Sequence, residues 1–310
     1  MPQWEHSLAA LGLDTVPALE PLSYPGRPAP GPALLAGEEL FGLGVRAGRL
    51  GQWTVDGFTG TLDEVLREFG QAPTEERFPV IAVGSNASPA QLAYKFGRFA
   101  VPALVPMVPV RVRGVAVGCS AHIGRIGYVA SAPYLDPAVT GTLWASWLEP
   151  RQLDVVDGTE FPNYLRALLP GGVFEMVLPS GERLAGAQMY AGARGVLADP
   201  RTGLPRQGGG DQAELLAELL AGSARLRTLF GPGPADWVAR AGRDPHARAE
   251  GTRVFAEEGW AVPQPTLAAY TENPGPPPTY AQLPPLDGSF AAGDSELGLV
   301  AEVGERPGHD

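Results

Sequence analysis

Two proline-rich stretches decide where this chain can build a core. PLSYPGRPAPGP at residues 21–32 and NPGPPPTYAQLPPLDG at residues 273–288 fix φ repeatedly and remove backbone donors. Neither suits a helix interior or a central strand. With 41 Gly and 33 Pro in 310 residues, regular structure has to concentrate between them. The expected organisation is an N-terminal extension over 1–76, partly irregular with a short helix near 61–70, then a central domain over 77–230. Helices over 231–262 pack on that domain, and a Pro-rich, acidic, disordered tail follows over 263–310.

Charge and cysteine content narrow the function classes. The net charge of −11 argues against nucleic acid, which is bound mainly through Lys and Arg neutralising phosphates. From residue 270 onward there are seven acids and one arginine, so −6 lies in the tail and −5 in everything before it. The basic residues are nearly all arginine; Lys95 is the single lysine, which reads as a compositional bias. No apolar run approaches the roughly 20 residues of a membrane span, and MPQWEHSLAALGLD lacks the charge and apolar pattern of a secretion signal. One cysteine, Cys119, rules out an internal disulfide and suits a reducing compartment, so the expected location is cytoplasmic. The four histidines are scattered without metal-ligand spacing, and Gly42, Gly44 and Gly48 miss the dinucleotide-binding spacing and read as a turn.

The central pattern predicts an α+β fold. Thr61 and Glu64 form a capping box for the helix near 61–70. Residues 79–83 read as a short buried strand, and Ser88-Pro89 as the cap and first turn of a helix. Strand patterns follow over 108–119, 127–132 and 139–147, then helical spacing over 149–156 that breaks at Gly158. Residues 164–169 and 173–178, joined by Pro170-Gly171-Gly172, read as a hairpin, and 184–190 as another strand. Residues 211–230 read as one long amphipathic helix, with shorter helices over 235–241 and 246–258. Strands clustered first and helices later favour α+β over a doubly wound sheet.

Two segments carry the candidate chemistry. In IAVGSNASPAQL, residues 81–92, a strand, a tight turn and a capped helix leave backbone N–H groups unpaired beside the positive end of a helix dipole. That suits a carboxylate or an oxyanion, although Ser85 and Asn86 are equally suited to capping alone. GSN is not a nucleophile elbow, and no base neighbours Ser85 in sequence. In LDVVDGTEFPNY, residues 153–164, Asp154, Asp157 and Glu160 sit near a helix C-terminus, against the dipole. Such acids are more often exposed surface, but one held in a pocket can transfer protons.

VGSNASPAQL resembles the Y-G-S-N loop-and-helix signature of gamma-glutamylcyclotransferase-like proteins. LDVVDGTEFPNY is similar to that family's L-D-x-x-E-G stretch ending in tyrosine. RVRGVAVG, VTGTLWASW and LPSGERLAGAQMY follow the family's strand order, so the resemblance covers about half the chain. It implies a small, twisted mixed β-barrel or sheet with flanking helices. The implied reaction is an intramolecular aminolysis: a carboxylate takes a proton from the α-amino group of a γ-glutamyl compound, the amine attacks the γ-carbonyl, and an amine and 5-oxoproline leave. No metal or organic cofactor is implied, because proximity and one proton shuttle suffice. The implied partner is a small molecule carrying a carboxylate.

On the resemblance, Val83, Gly84, Ser85, Asn86 and Tyr164 bind substrate, and Asp157 or Glu160 is the catalytic base. Two positions depart from the pattern. Val83 replaces a tyrosine, and Asp157 stands where the family has its glutamate, about 1.5 Å shorter in reach. A displacement of about 1 Å can cost on the order of a hundredfold in rate. By position Asp157 ranks above Glu160. The alternative is a protein of the same fold that binds a small molecule without turning it over.

Overall fold

The chain is described over residues 3–199, 201–271 and 276–286 in a computed structural model. The segment read as a partly irregular extension supplies β1 (Ala33–Ala36), β2 (Glu39–Gly44), β3 (Thr54–Val55) and helix α1 (Leu62–Glu68). Helix α1 starts where both bonds of the Thr61–Glu64 capping box form. After β4 (Phe78–Ala82) comes a 3-10 turn over Ser85–Ala87, then α2 (Pro89–Arg98), whose cap Ser88 accepts from the Gln91 amide.

The three strand patterns of the centre merge into one hairpin of 20-residue strands, β5 (Leu104–Ile123) and β6 (Val129–Leu148). Even-numbered Val108, Val110 and Val112 enter one core layer, whereas odd-numbered Val105 and Met107 enter the other. A register shift between Arg113 and Gly114 then returns Val115 to the first layer. Gly114 sits there at φ 87, where an L side chain is strained.

Helix α3 (Pro150–Glu160) follows and does not break at Gly158. The remaining strands are β7 (Tyr164–Pro170), β8 (Met176–Val177), β9 (Gly186–Gly192), β10 (Val196–Leu197) and β11 (Ala261–Val262). The expected 164–178 hairpin does not form: β7 pairs with β9, and β8 pairs with β5. The main order is β3-β2-β1-β5-β6-β4-β9-β7, antiparallel except for β4 against β9. It is a mixed sheet and does not close into a barrel. The second edge of β5 pairs in turn with β1, β8 and β10, and β7 ends the path at the other side.

The helix expected over 211–230 is two, α4 (Gln212–Gly222) and α5 (Ala224–Phe230). Ser223 leaves helical geometry between them and caps the second, accepting from the Leu226 amide at 3.2 Å. With α6 (Pro234–Arg243) and α7 (Pro245–Glu257) they cover the far ends of the β5–β6 hairpin. No described helix is long and apolar enough to cross a membrane.

The tail is not loose throughout. Helix α8 (Pro265–Ala268) buries Leu267, and Tyr280 is fully buried edge-on to Trp147 at 5.5 Å. Backbone bonds add to that aromatic anchor, from the Tyr280 amide to the Arg77 carbonyl, from Ala281 to Glu75 and from Leu286 to Arg183, and the prolines have already restricted the chain that must be ordered. The acidic stretch over 287–310 lies outside the described residues.

The elements meet at Arg77, whose side chain is 0% exposed. It donates to the carbonyls of Ala72 at 2.8 Å, Leu104 at 2.9 Å and Trp147 at 3.3 Å, and pairs with Glu149 at 3.1 Å. Removing the cation strips three buried carbonyls and one carboxylate of a donor. Arg77→Met is therefore expected to cost about 3–5 kcal/mol in a urea titration, well above a surface substitution.

Candidate functional site

The turn after β4, the last turn of α3 and the bend between β5 and β6 line one cavity of about 410 Å³. Of the expected residues, Val83, Gly84, Ser85, Asn86, Glu160 and Tyr164 all line it; Asp157 does not. Continuation of α3 past Gly158 separates the two acids. Asp157 turns to the sheet, where Oδ1 accepts from the Tyr190 hydroxyl at 2.6 Å and Oδ2 from Arg166 at 2.5 Å. Glu160 turns to the Ser85–Ala87 turn. Its Oε1 accepts from Asn86 Nδ2 and Lys95 Nζ, each at 3.0 Å, while Oε2 has no hydrogen-bond partner among the described residues. Asp154 is exposed and takes no part.

The turn itself uses two amides, Ala87 donating to the Gly84 carbonyl and Ser88 to that of Ser85. The amides of Ser85 and Asn86 have no main-chain acceptor among the described residues. A hydroxyl from outside the motif stands beside them. Tyr24, from the first proline-rich stretch, accepts from the Ser131 amide at 2.8 Å, faces the Ser85 amide and stacks on Tyr128 at 4.3 Å. It approaches Gly84 so closely that a Cβ there would collide with its oxygen. Tyrosine is thus absent at position 83, but a phenol reaches the same turn from about 60 residues upstream.

Burial pushes the Tyr24 hydroxyl up to about 12 and raises those of Tyr128 and Tyr164 as well; the Glu160 charge adds to all three. These phenols stay protonated at neutral pH. Tyr164 donates to the Ser131 carbonyl at 2.8 Å. His122 also lines the cavity, with Nδ1 2.6 Å from Ser120 Oγ. Burial, then the nearby Arg194 charge, lower its imidazole to about 4, so it is neutral at physiological pH. Ser120 is fully buried and outside the lining, so this pair presents no nucleophile to the cavity. Cys119 is buried too, its thiol pushed up to about 11 by burial.

The charged lining comprises Lys95, Arg98 and Arg125 against Glu160. Both arginines are exposed and Lys95 is buried. Tyr24, Lys95, His122 and Tyr128 carry no motif in the sequence. Lys95 alone left a trace there, as the single lysine.

No family model matches the chain, and no curated protein does. Among solved structures, a solution structure of an Arabidopsis thaliana protein is similar over 51% of this chain and 86% of its own. Identity is 17% and the TM-score 0.30, a likeness that carries no argument about function.

The His122 environment has a measurable consequence. The unfolded imidazole titrates near 6.5 and the folded one near 4. The unfolded chain therefore binds the proton first, and stability falls as pH drops from 6.5 toward 4. The full effect is on the order of 3 kcal/mol. Urea titrations across that window should show the stability gap between wild type and His122→Gln narrowing as pH falls.

Proposed function

We propose that this protein is a gamma-glutamylcyclotransferase-like enzyme, its sheet and helices a variant of that fold, with Glu160 as the base. The observation that carries this reading is Glu160 Oε2, without a hydrogen-bond partner among the described residues, in a cavity that the Gly84–Asn86 turn also lines. Three cations face one acid in the lining, which favours a ligand carrying a carboxylate. The γ-glutamyl α-amine gives a proton to Glu160 and its nitrogen attacks the γ-carbonyl, forming the ring C–N bond. The carbonyl oxygen gains charge beside the Ser85 and Asn86 amides. Collapse breaks the original amide C–N bond, Glu160 returns the proton to the departing nitrogen, and 5-oxoproline and an amine are released. The cavity excludes bulk water on the buried side, where Tyr24, His122 and Tyr164 pack.

Asp157 is a poor base in this reading, since both its oxygens are held by Tyr190 and Arg166. A second reading, binding without turnover, draws support from the Lys95–Glu160 pair, which already occupies one oxygen of the carboxylate.

The test is 5-oxoproline release from a panel of γ-glutamyl dipeptides, γ-glutamyl amines and glutathione. Glu160→Gln should lower kcat by about 10²–10⁴-fold, the usual worth of a general base. Asp157→Asn should act mainly through stability. Release that survives Glu160→Gln would refute the assignment. No release from the panel, with 5-oxoproline or γ-glutamyl compounds still binding in calorimetry, would favour the second reading.

A further inference from the structure

The chain meets nearly every need for a cation with arginine, and the one exception is buried in the candidate site. We propose that Lys95 is a positioning residue whose ammonium sets the orientation of Glu160 and Asn86 in the cavity, a task that arginine cannot take over. The role in turnover rests on the cyclotransferase reading; the placement and contacts of Lys95 do not.

Geometry gives the reason for lysine. Nζ donates to Asn86 Oδ1 at 2.7 Å, Thr159 Oγ1 at 2.8 Å and Glu160 Oε1 at 3.0 Å. Three acceptors converge on one nitrogen, which matches the three hydrogens of an ammonium. No nitrogen of a guanidinium carries more than two, and those lie in a plane. A compositional bias toward arginine explains the other cations, and this arrangement explains why it stops here. The three contacts engage all the donors of a lysine ammonium, so Nζ offers the cavity no further donor.

The acceptors come from two elements. Asn86 belongs to the turn before α2, whereas Thr159 and Glu160 end α3, where the dipole favours a cation. Thr159 in turn donates to the Val156 carbonyl at 2.8 Å, so its oxygen is oriented to accept from the ammonium. Asn86 is read from both sides, its carbonyl accepting a hydrogen bond from Lys95 and its amide donating to Glu160. The closed ring fixes Oε1 and leaves Oε2 as the oxygen available to a ligand.

A single lysine makes the test direct. The full chain labelled with lysine carrying ¹⁵N at the ε position should give one side-chain signal in a ¹H–¹⁵N spectrum. The expected signal is an ammonium whose protons exchange slowly with water at neutral pH and which shifts in Glu160→Gln. Protons that exchange as fast as those of free lysine, or a signal indifferent to Glu160→Gln, would overturn the proposal. In the 5-oxoproline assay, Lys95→Arg should lose about a hundredfold in kcat with KM changed far less, as for a displaced catalytic group. Methylammonium should restore part of the rate of Lys95→Gly and guanidinium should not. Full activity in Lys95→Arg would refute the role. The expected spectrum without any 5-oxoproline release would instead refute the cyclotransferase reading and leave the ammonium assignment standing.

Discussion

A buried guanidinium organises this molecule. Arg77 has no exposed surface, and burial lowers its pKa to about 10, so it remains charged and needs acceptors on every side. It draws those acceptors from the loop at Ala72, the start of β5, the end of β6 and the cap of α3. Its own carbonyl accepts from the Tyr280 amide, so the tail segment is tied to the same point. Glu149 carries the effect onward. It accepts from the Ala72 amide at 2.6 Å and completes a capping box with Gln152. Gln152 is pinned to the Pro102 carbonyl at 2.8 Å. The N-terminus of α3 is therefore fixed from three directions, and a rod of 11 residues, about 16 Å at the usual rise, places Glu160 at its far end.

The long β5–β6 hairpin does the complementary work. A pair of 20-residue strands cannot face one core along its whole length, and the shift at Arg113–Gly114 changes which residues point inward. Up to that point, and again at Val115 just beyond it, the hairpin serves the two layers of the main sheet. Beyond it, Cys119, Ala121 and Ile123 pack under α4–α7. The candidate cavity draws His122 and Tyr128 from that far end of the hairpin, and the turn after β4 from the main sheet.

Features readable in the sequence are those whose chemistry closes over a few residues. The Thr61–Glu64 capping box, the Ser88 cap and the turn-plus-helix at Gly84–Asn86 each depend on neighbours. What escaped depends on partners far along the chain. Residues 164–178 look like a hairpin locally, but β9 offers β7 a seven-residue partner and β8 is only two residues long. Gly158 looks like a stop, but an interior glycine costs a helix only about 1 kcal/mol. The bonds of Asp157 and Glu160 on either side of it hold the last turn. Tyr24 and Tyr280 sit in segments that read as linker and tail, and nothing local shows that a phenol there fills a core or a cavity.

The division between the two acids follows from helix geometry. Residues three apart on a helix differ by about 60° around its axis, close enough to share an end and far enough to face different neighbours. On α3 that angle spans the gap between the sheet, with Tyr190 and Arg166, and the turn before α2, with Asn86 and Lys95. The shorter acid lies on the sheet side and has both oxygens satisfied there, which makes it a tether. The longer one lies on the cavity side and has one oxygen satisfied, which makes it available. Position in the motif ranks Asp157 first, whereas of the two acids only Glu160 lines the cavity. Each accepts two hydrogen bonds, so their placement and not their number separates the acids, and on the proposed reading the base is the one whose open oxygen can meet a ligand.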